Sequence, residues 1–157
     1  MLESLHTFTE HLITDYGYGG VFGITALEQF IFPLPADLFF GFSIENGLRF
    51  DILMWLVFIA TLLGSSIGYL LGKFLGHPAL SWLVGAQKVE RGEVFMKKWG
   101  VWGVIIAGIT PIPFKVITWT AGTFEMPFWK FIVGVIIGRM PRYLITAYLG
   151  MKLFEMT

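Results

Sequence analysis

The chain has 157 residues, of which 55% are hydrophobic, 17% aromatic and only 14% charged, and its mean hydropathy is +0.72. A soluble domain carries about 25% charged residues, so this chain lacks the charge to cover a water-facing surface and reads as an integral membrane protein. Its basic and acidic side chains cancel, which leaves no basic field for nucleic acid, and the lack of cysteine excludes a disulfide framework, thiolate metal sites and thiol catalysis.

Residues 2–14 place Leu2, Leu5, Phe8, Leu12 and Ile13 on one helical face and Glu3, Thr7, Glu10 and His11 on the other. That pattern predicts an amphipathic helix lying on a membrane or packing against the domain. Residues 1–16 contain no Lys or Arg and no apolar core, so no cleavable signal peptide is expected. An apolar block follows from Gly17 to Ile44 and contains Glu28, Pro33, Pro35 and Asp37. A second block, Ile52 to about Gly76, has no charge between Asp51 and Lys73; it predicts a plain transmembrane helix of the ~20 residues a bilayer needs. Residues 77–100 are polar and basic, with Lys88, Arg91, Lys97 and Lys98 against Glu90 and Glu93. The third block, Val101 to Phe124, holds Pro111 and Pro113, and the fourth, Phe128 to about Leu153, is long enough to span but carries Arg139 and Arg142.

Two of these blocks are broken at their middle by Pro-x-Pro, with a charged residue two positions later: Pro33-Leu34-Pro35-Ala36-Asp37 and Pro111-Ile112-Pro113-Phe114-Lys115. Proline lacks an N–H and clashes with the preceding turn, so neither block forms an unbroken helix. Irregular backbone at membrane depth is tolerated only where protein buries it or a watery cavity receives it. The aromatic-glycine run Tyr16-Gly-Tyr-Gly-Gly20 matches Trp99-Gly-Val-Trp-Gly103, and each leads through an apolar arm to its Pro-x-Pro, a second arm, a short connector and a glycine-bearing helix. This order predicts an internal repeat. The arms Val101–Thr110 and Phe114–Phe124 are each ~15 Å long, half of a ~30 Å hydrocarbon core. They fit a re-entrant hairpin, which is favoured, or a single crossing made of two half-helices. Hairpins with one span per half would make the two repeats inverted, a common transporter architecture.

The basic residues of the 73–98 region, against Arg49 alone in the 45–51 connector, put the 77–100 connector in the cytoplasm. Gly64, Gly68, Gly72 and Gly76 recur every four residues, and Gly134 and Gly138 begin a shorter run; both patterns predict close helix packing. A charge at a helix centre costs about 2.5–3.5 kcal/mol, so the intramembrane charges are the candidate site. Glu28 is placed to carry a proton, or to partner an N–H freed at the break. Asp37 and Lys115 occupy equivalent repeat positions with opposite signs; they form an ion pair if the tips meet, or each reaches an interface. Arg139 and Arg142, three apart on one helix face, suit phosphate or carboxylate oxygens, unless Pro141 breaks the helix and they snorkel to the headgroups. His6, His11 and His77 show no metal-ligand spacing, so neither metal nor cofactor is expected and catalysis is disfavoured.

Glu28-x4-Pro33-x-Pro35-x-Asp37, the glycine-rich Gly64–Gly72 run, and Thr110-Pro-Ile-Pro-Phe-Lys115 leading to Ala121-Gly122 and Met126-Pro127 together resemble the DedA family. That family is also called the SNARE-associated or VTT-domain superfamily, and Gly138-Arg-Met-Pro-Arg142-Tyr resembles its YqaA-like branch. The resemblance covers roughly residues 15–150. It implies an all-α membrane protein of two inverted re-entrant hairpins in a bacterial cytoplasmic membrane, with Pro33, Pro35, Pro111 and Pro113 at the tips. It also implies flipping or scrambling of an anionic lipid, undecaprenyl phosphate or a phospholipid, coupled to protons in bacterial members. By position, Glu28 and Asp37 match the family's acidic residues. Many members bracket the second proline with arginines, whereas Thr110 and Lys115 stand here, so Arg139 and Arg142 become the candidates for the missing positive charge. The expected layout is one multi-pass membrane domain: an amphipathic helix at 1–16, repeat one at 17–76, a polar basic connector at 77–98 and repeat two at 99–154. Membrane lipids are the expected partners, and a homo-oligomer is left open. A proton-coupled small-ion exchanger and a non-transporting assembly factor are the alternatives.

Overall fold

A computed structural model describes residues 7, 11, 14–29, 47–110 and 114–155. Among the described residues the chain is helical, joined by short turns, with no strand. Most of the amphipathic helix expected at 1–16 lies outside them. The labelled helices are α1 (Tyr18–Glu28), α2 (Phe50–Val84), α3 (Ala86–Trp99), α4 (Val101–Ile109), α5 (Phe114–Thr123) and α6 (Phe128–Glu155).

The helix ends follow local chemistry. Gly17 and Gly100 precede α1 and α4 with nearly the same backbone, φ 52 and ψ −124 against φ 52 and ψ −126. Positive φ of this kind is open to glycine and strained for other residues. The two aromatic-glycine runs noted in the sequence therefore start their helices in the same way. Thr110 ends α4 in an extended conformation, φ −84 and ψ 160, as expected of a residue whose helical form would clash with the Pro111 ring. Its hydroxyl turns back to donate to the Ile106 carbonyl at 2.8 Å. In α2 the helix breaks at Gly76, φ 67 and ψ −170, where the sequence placed the end of the span, and Pro78 follows. Of the residues expected as a polar connector, 77–84 extend α2 past Gly76 and 86–98 belong to the amphipathic α3, which buries Val89, Gly92 and Met96. Pro141 does not break α6; the helix continues through it.

Packing is organised around α2, which touches α1, α3, α5 and α6. Its most extensive contact is with α5, where a Cβ at Gly72 would overlap the Trp119 carbonyl and one at Gly122 would overlap the Tyr69 carbonyl. Backbones this close are the geometry that small residues permit between membrane helices. At α1 the Ala26 carbonyl and the Gln29 side chain fill the space beside Gly64. The contact of α4 with α6 repeats that theme, with Gly138 against Ile105 and Gly108. Thus α1 packs on α2, and α4 on α6, in each case through a glycine on the longer helix. Gly68 is also buried. Gly76 works differently, since a Cβ there would meet only Pro78; it supplies a backbone conformation, not a contact face.

The outer surface is apolar. Ile52, Trp55, Ile59, Leu63, Ile67, Leu70 and Phe74 form an exposed stripe along α2, and Trp129, Val133, Ile137, Met140, Leu144 and Tyr148 form another along α6. Steps of three and four residues keep each stripe on one helix face. Soluble monomers rarely expose continuous apolar surface on this scale. Residues Phe50–Trp82 are, among the described residues, the one helix both long and apolar enough to cross a membrane. The 28 residues of α6 would reach ~42 Å, but its charges lower its hydropathy.

Candidate functional site

Arg139 lies on the inner face of α6 and is only 5% exposed. Counting from Phe128, it stands ~17 Å along the helix, about half of a hydrocarbon core. Its Nη2 donates to the Gln29 Oε1 at 3.0 Å, and its guanidinium carbon sits 4.2 Å from the centre of the Phe114 ring. Gln29 is itself buried and follows the last residue of α1, from which its Nε2 donates to the Thr25 carbonyl at 3.4 Å. Phe114 is buried at the first position of α5. Arg139 therefore joins three elements: the end of α1, the start of α5 and the middle of α6.

This arrangement meets part of the cost of a buried guanidinium. A planar cation over an aromatic face gains up to about 2 kcal/mol when desolvated, and a hydrogen bond to a charged group contributes about 1.5–3 kcal/mol. Both partners are electrically neutral. The buried Arg139 Nε has no hydrogen-bond partner among the described residues. A guanidinium held this way keeps its positive charge and a spare donor, which together can receive an anionic oxygen. Ser65, fully buried on the inner face of α2, likewise has a hydroxyl without a partner among the described residues.

The other sequence candidates distribute around this centre. Glu28 is half-buried in the last turn of α1, next to Gln29. Lys115 is half-buried at the second position of α5, next to Phe114, and Arg142 is half-buried one turn beyond Arg139. Pro33, Pro35, Asp37, Pro111 and Pro113 lie outside the described residues. Sequence reading passed over Gln29, Phe114 and the buried pair Thr61 and Tyr143, whose hydroxyls lie 2.6 Å apart across α2 and α6. Glutamine and phenylalanine carry no charge to flag them in an apolar block; their adjacency to the breaks was the one available signal. Among the described residues no group of His, Asp and Glu could hold a metal ion.

Residues 32–152 match the VTT domain. An uncharacterized protein of Methanocaldococcus jannaschii is 40% identical over 143 residues, covering 90% of this chain and 89% of its own length. Undecaprenyl phosphate transporter A of Bacillus subtilis is 26% identical over 153 residues, covering 90% of this chain and 74% of its own. The protein of the same name in Staphylococcus aureus is 26% identical over 146 residues, with 82% and 72% covered. No solved structure matches the chain.

Proposed function

This chain belongs to the VTT-domain family, the DedA/TVP38 family of membrane proteins, and we propose that it is a transporter that moves an anionic lipid across the bilayer. The observation that carries this reading is Arg139, a buried cation with neutral partners and a spare Nε donor at the meeting point of three helices. In this mechanism Arg139 receives the phosphate oxygens of the headgroup, and Arg142 and Lys115 add positive charge on either side. Glu28 and Asp37 exchange protons as the headgroup passes, which relieves the cost of moving a charge through low dielectric. The two halves act as inverted partners, their hairpin tips lining a polar path at mid-membrane. The shared start geometry of α1 and α4, and the shared way in which each packs on its long helix, favour that symmetry. The transported lipid, in this reading, is undecaprenyl phosphate, which the names of two relatives carry, or a phospholipid. The protein is not an enzyme in this reading: the site offers cation and hydrogen-bond chemistry, with no thiol in the chain to act as nucleophile.

Reconstitution into liposomes with a labelled anionic lipid tests the assignment. Transbilayer movement is expected to fall at least tenfold in Arg139→Ala, a loss of about 1.4 kcal/mol or more, and Glu28→Gln is expected to weaken its dependence on a proton gradient. Unchanged movement in both variants sinks these roles. Ion flux without lipid movement favours a small-ion exchanger instead.

A further inference from the structure

A groove opens between α2 and α6 on the lipid-facing side, lined by Met54, Trp55, Phe58, Met140, Tyr143 and Leu144. We propose that it seats the hydrocarbon chain of the same lipid whose headgroup Arg139 receives, an inference that rests on the headgroup role given above. Position supplies the first argument. Tyr143, which lines the groove, lies four residues after Arg139 and so on the same face of α6 one turn away. A lipid with its phosphate at Arg139 has this groove as the adjoining apolar space.

The build of the groove supplies the second. Tyr143 is buried and its hydroxyl is engaged with Thr61, so the ring forms an apolar floor while its polar end is occupied elsewhere. Trp55 and Phe58 pack edge to face, with ring centres 6.4 Å apart and planes at 82°, which stiffens one wall. Met54 and Met140 lie on opposite walls, and the unbranched thioether adapts to flexible apolar groups. The free space is about 60 Å³, enough for a short length of chain and too small for a protein side face. The third argument is surroundings. Trp55, Met140 and Leu144 belong to the exposed stripes of α2 and α6, which face hydrocarbon in a bilayer, so a chain enters sideways without crossing water.

The experiment uses the full chain in nanodiscs of zwitterionic lipid. The probes are a single-chain lipid phosphate with a photoreactive diazirine on its chain, and the alcohol of the same chain without the phosphate. Peptide mass spectrometry maps the adducts. The expected result is labelling by the phosphate probe at Met54, Phe58, Met140 and Leu144, severalfold above that by the alcohol. Leu144→Trp, which fills the groove from an exposed position, is expected to reduce it severalfold. Ile145→Trp, exposed on the same helix but outside the lining, is expected to leave it unchanged. Phosphate-probe binding that depends on Arg139 but labels Ile59, Leu63 and Ile137 as strongly as the groove overturns the chain site and leaves the headgroup role standing. Equal groove labelling by both probes, unaffected by Arg139→Gln, overturns the inference together with the headgroup role on which it rests.

Discussion

Arg139 and Gln29 show how one residue of sequence position decides a role. Glu28 carries the charge that draws attention in α1, yet it is Gln29, 1% exposed, that meets the guanidinium. Consecutive helical residues point ~100° apart, so the neighbour of a plausible ligand faces elsewhere. Replacing Gln29 by Leu removes the acceptor and leaves the buried Nη2 without it. The expected loss is about 1.5–3 kcal/mol of stability, read as a lower denaturation midpoint in detergent, and Gln29→Glu is expected to retain or raise stability by placing a carboxylate there. If Gln29→Leu unfolds with the parent, Arg139 is held by contacts other than this one. The arginine itself was legible because a guanidinium in an apolar block is expensive and rare. Its partners were not, because what selects them is where helices cross.

At the scale of elements, the close approach of α2 and α5 depends on the absence of a Cβ at Gly72 and Gly122. Backbone carbonyls cannot rotate aside as side chains do, so Gly72→Ala forces the helices apart. A cost of about 1–3 kcal/mol is expected, with a lower thermal midpoint in detergent as the readout. Gly23, on α1, has nothing near its hypothetical Cβ, and Gly23→Ala is expected to be neutral or stabilising by up to about 1 kcal/mol. Gly76→Ala tests a different mechanism. Its cost of about 1–3 kcal/mol comes from backbone strain at φ 67 and is expected to move the junction between the span and its short extension. The four-residue glycine spacing announced close packing, but not that its last member would serve the backbone. Spacing reports a shared face only while the helix continues, and α2 breaks at Gly76.

For the whole molecule, α2 separates two sets of charges. Arg49 and Asp51 pair at one end, with an Arg49 Nη2 to Asp51 Oδ2 distance of 2.8 Å, while Lys88, Arg91, Lys97 and Lys98 sit on α3 beyond the other end. The continuous part of α2, before Gly76, is ~39 Å long, enough to place these sets on opposite sides of a bilayer. The excess of basic residues on α3 makes the cytoplasmic side the expected one for this helix. The chain has no cysteine, so single replacements report topology without background. Lys88→Cys in intact cells is expected to resist a membrane-impermeant maleimide until the membrane is opened, whereas Arg49→Cys is expected to react at once. The reverse pattern inverts the orientation, and reaction of both from outside removes α2 as a span.

The sequence by itself determined the class of the protein, the family resemblance, the bounds of α4, the interruption of α2 near Gly76 and the presence of an arginine inside the apolar block that becomes α6. These rest on composition and on local sterics: few charges, and proline that ends a helix. Tertiary structure alone decided that Gln29 and Phe114 hold Arg139, that Thr61 meets Tyr143, and that a groove opens beside them. Those contacts join residues far apart in the chain. They arise only when rigid helices cross at distances set by glycine-to-carbonyl contacts, which no local pattern encodes.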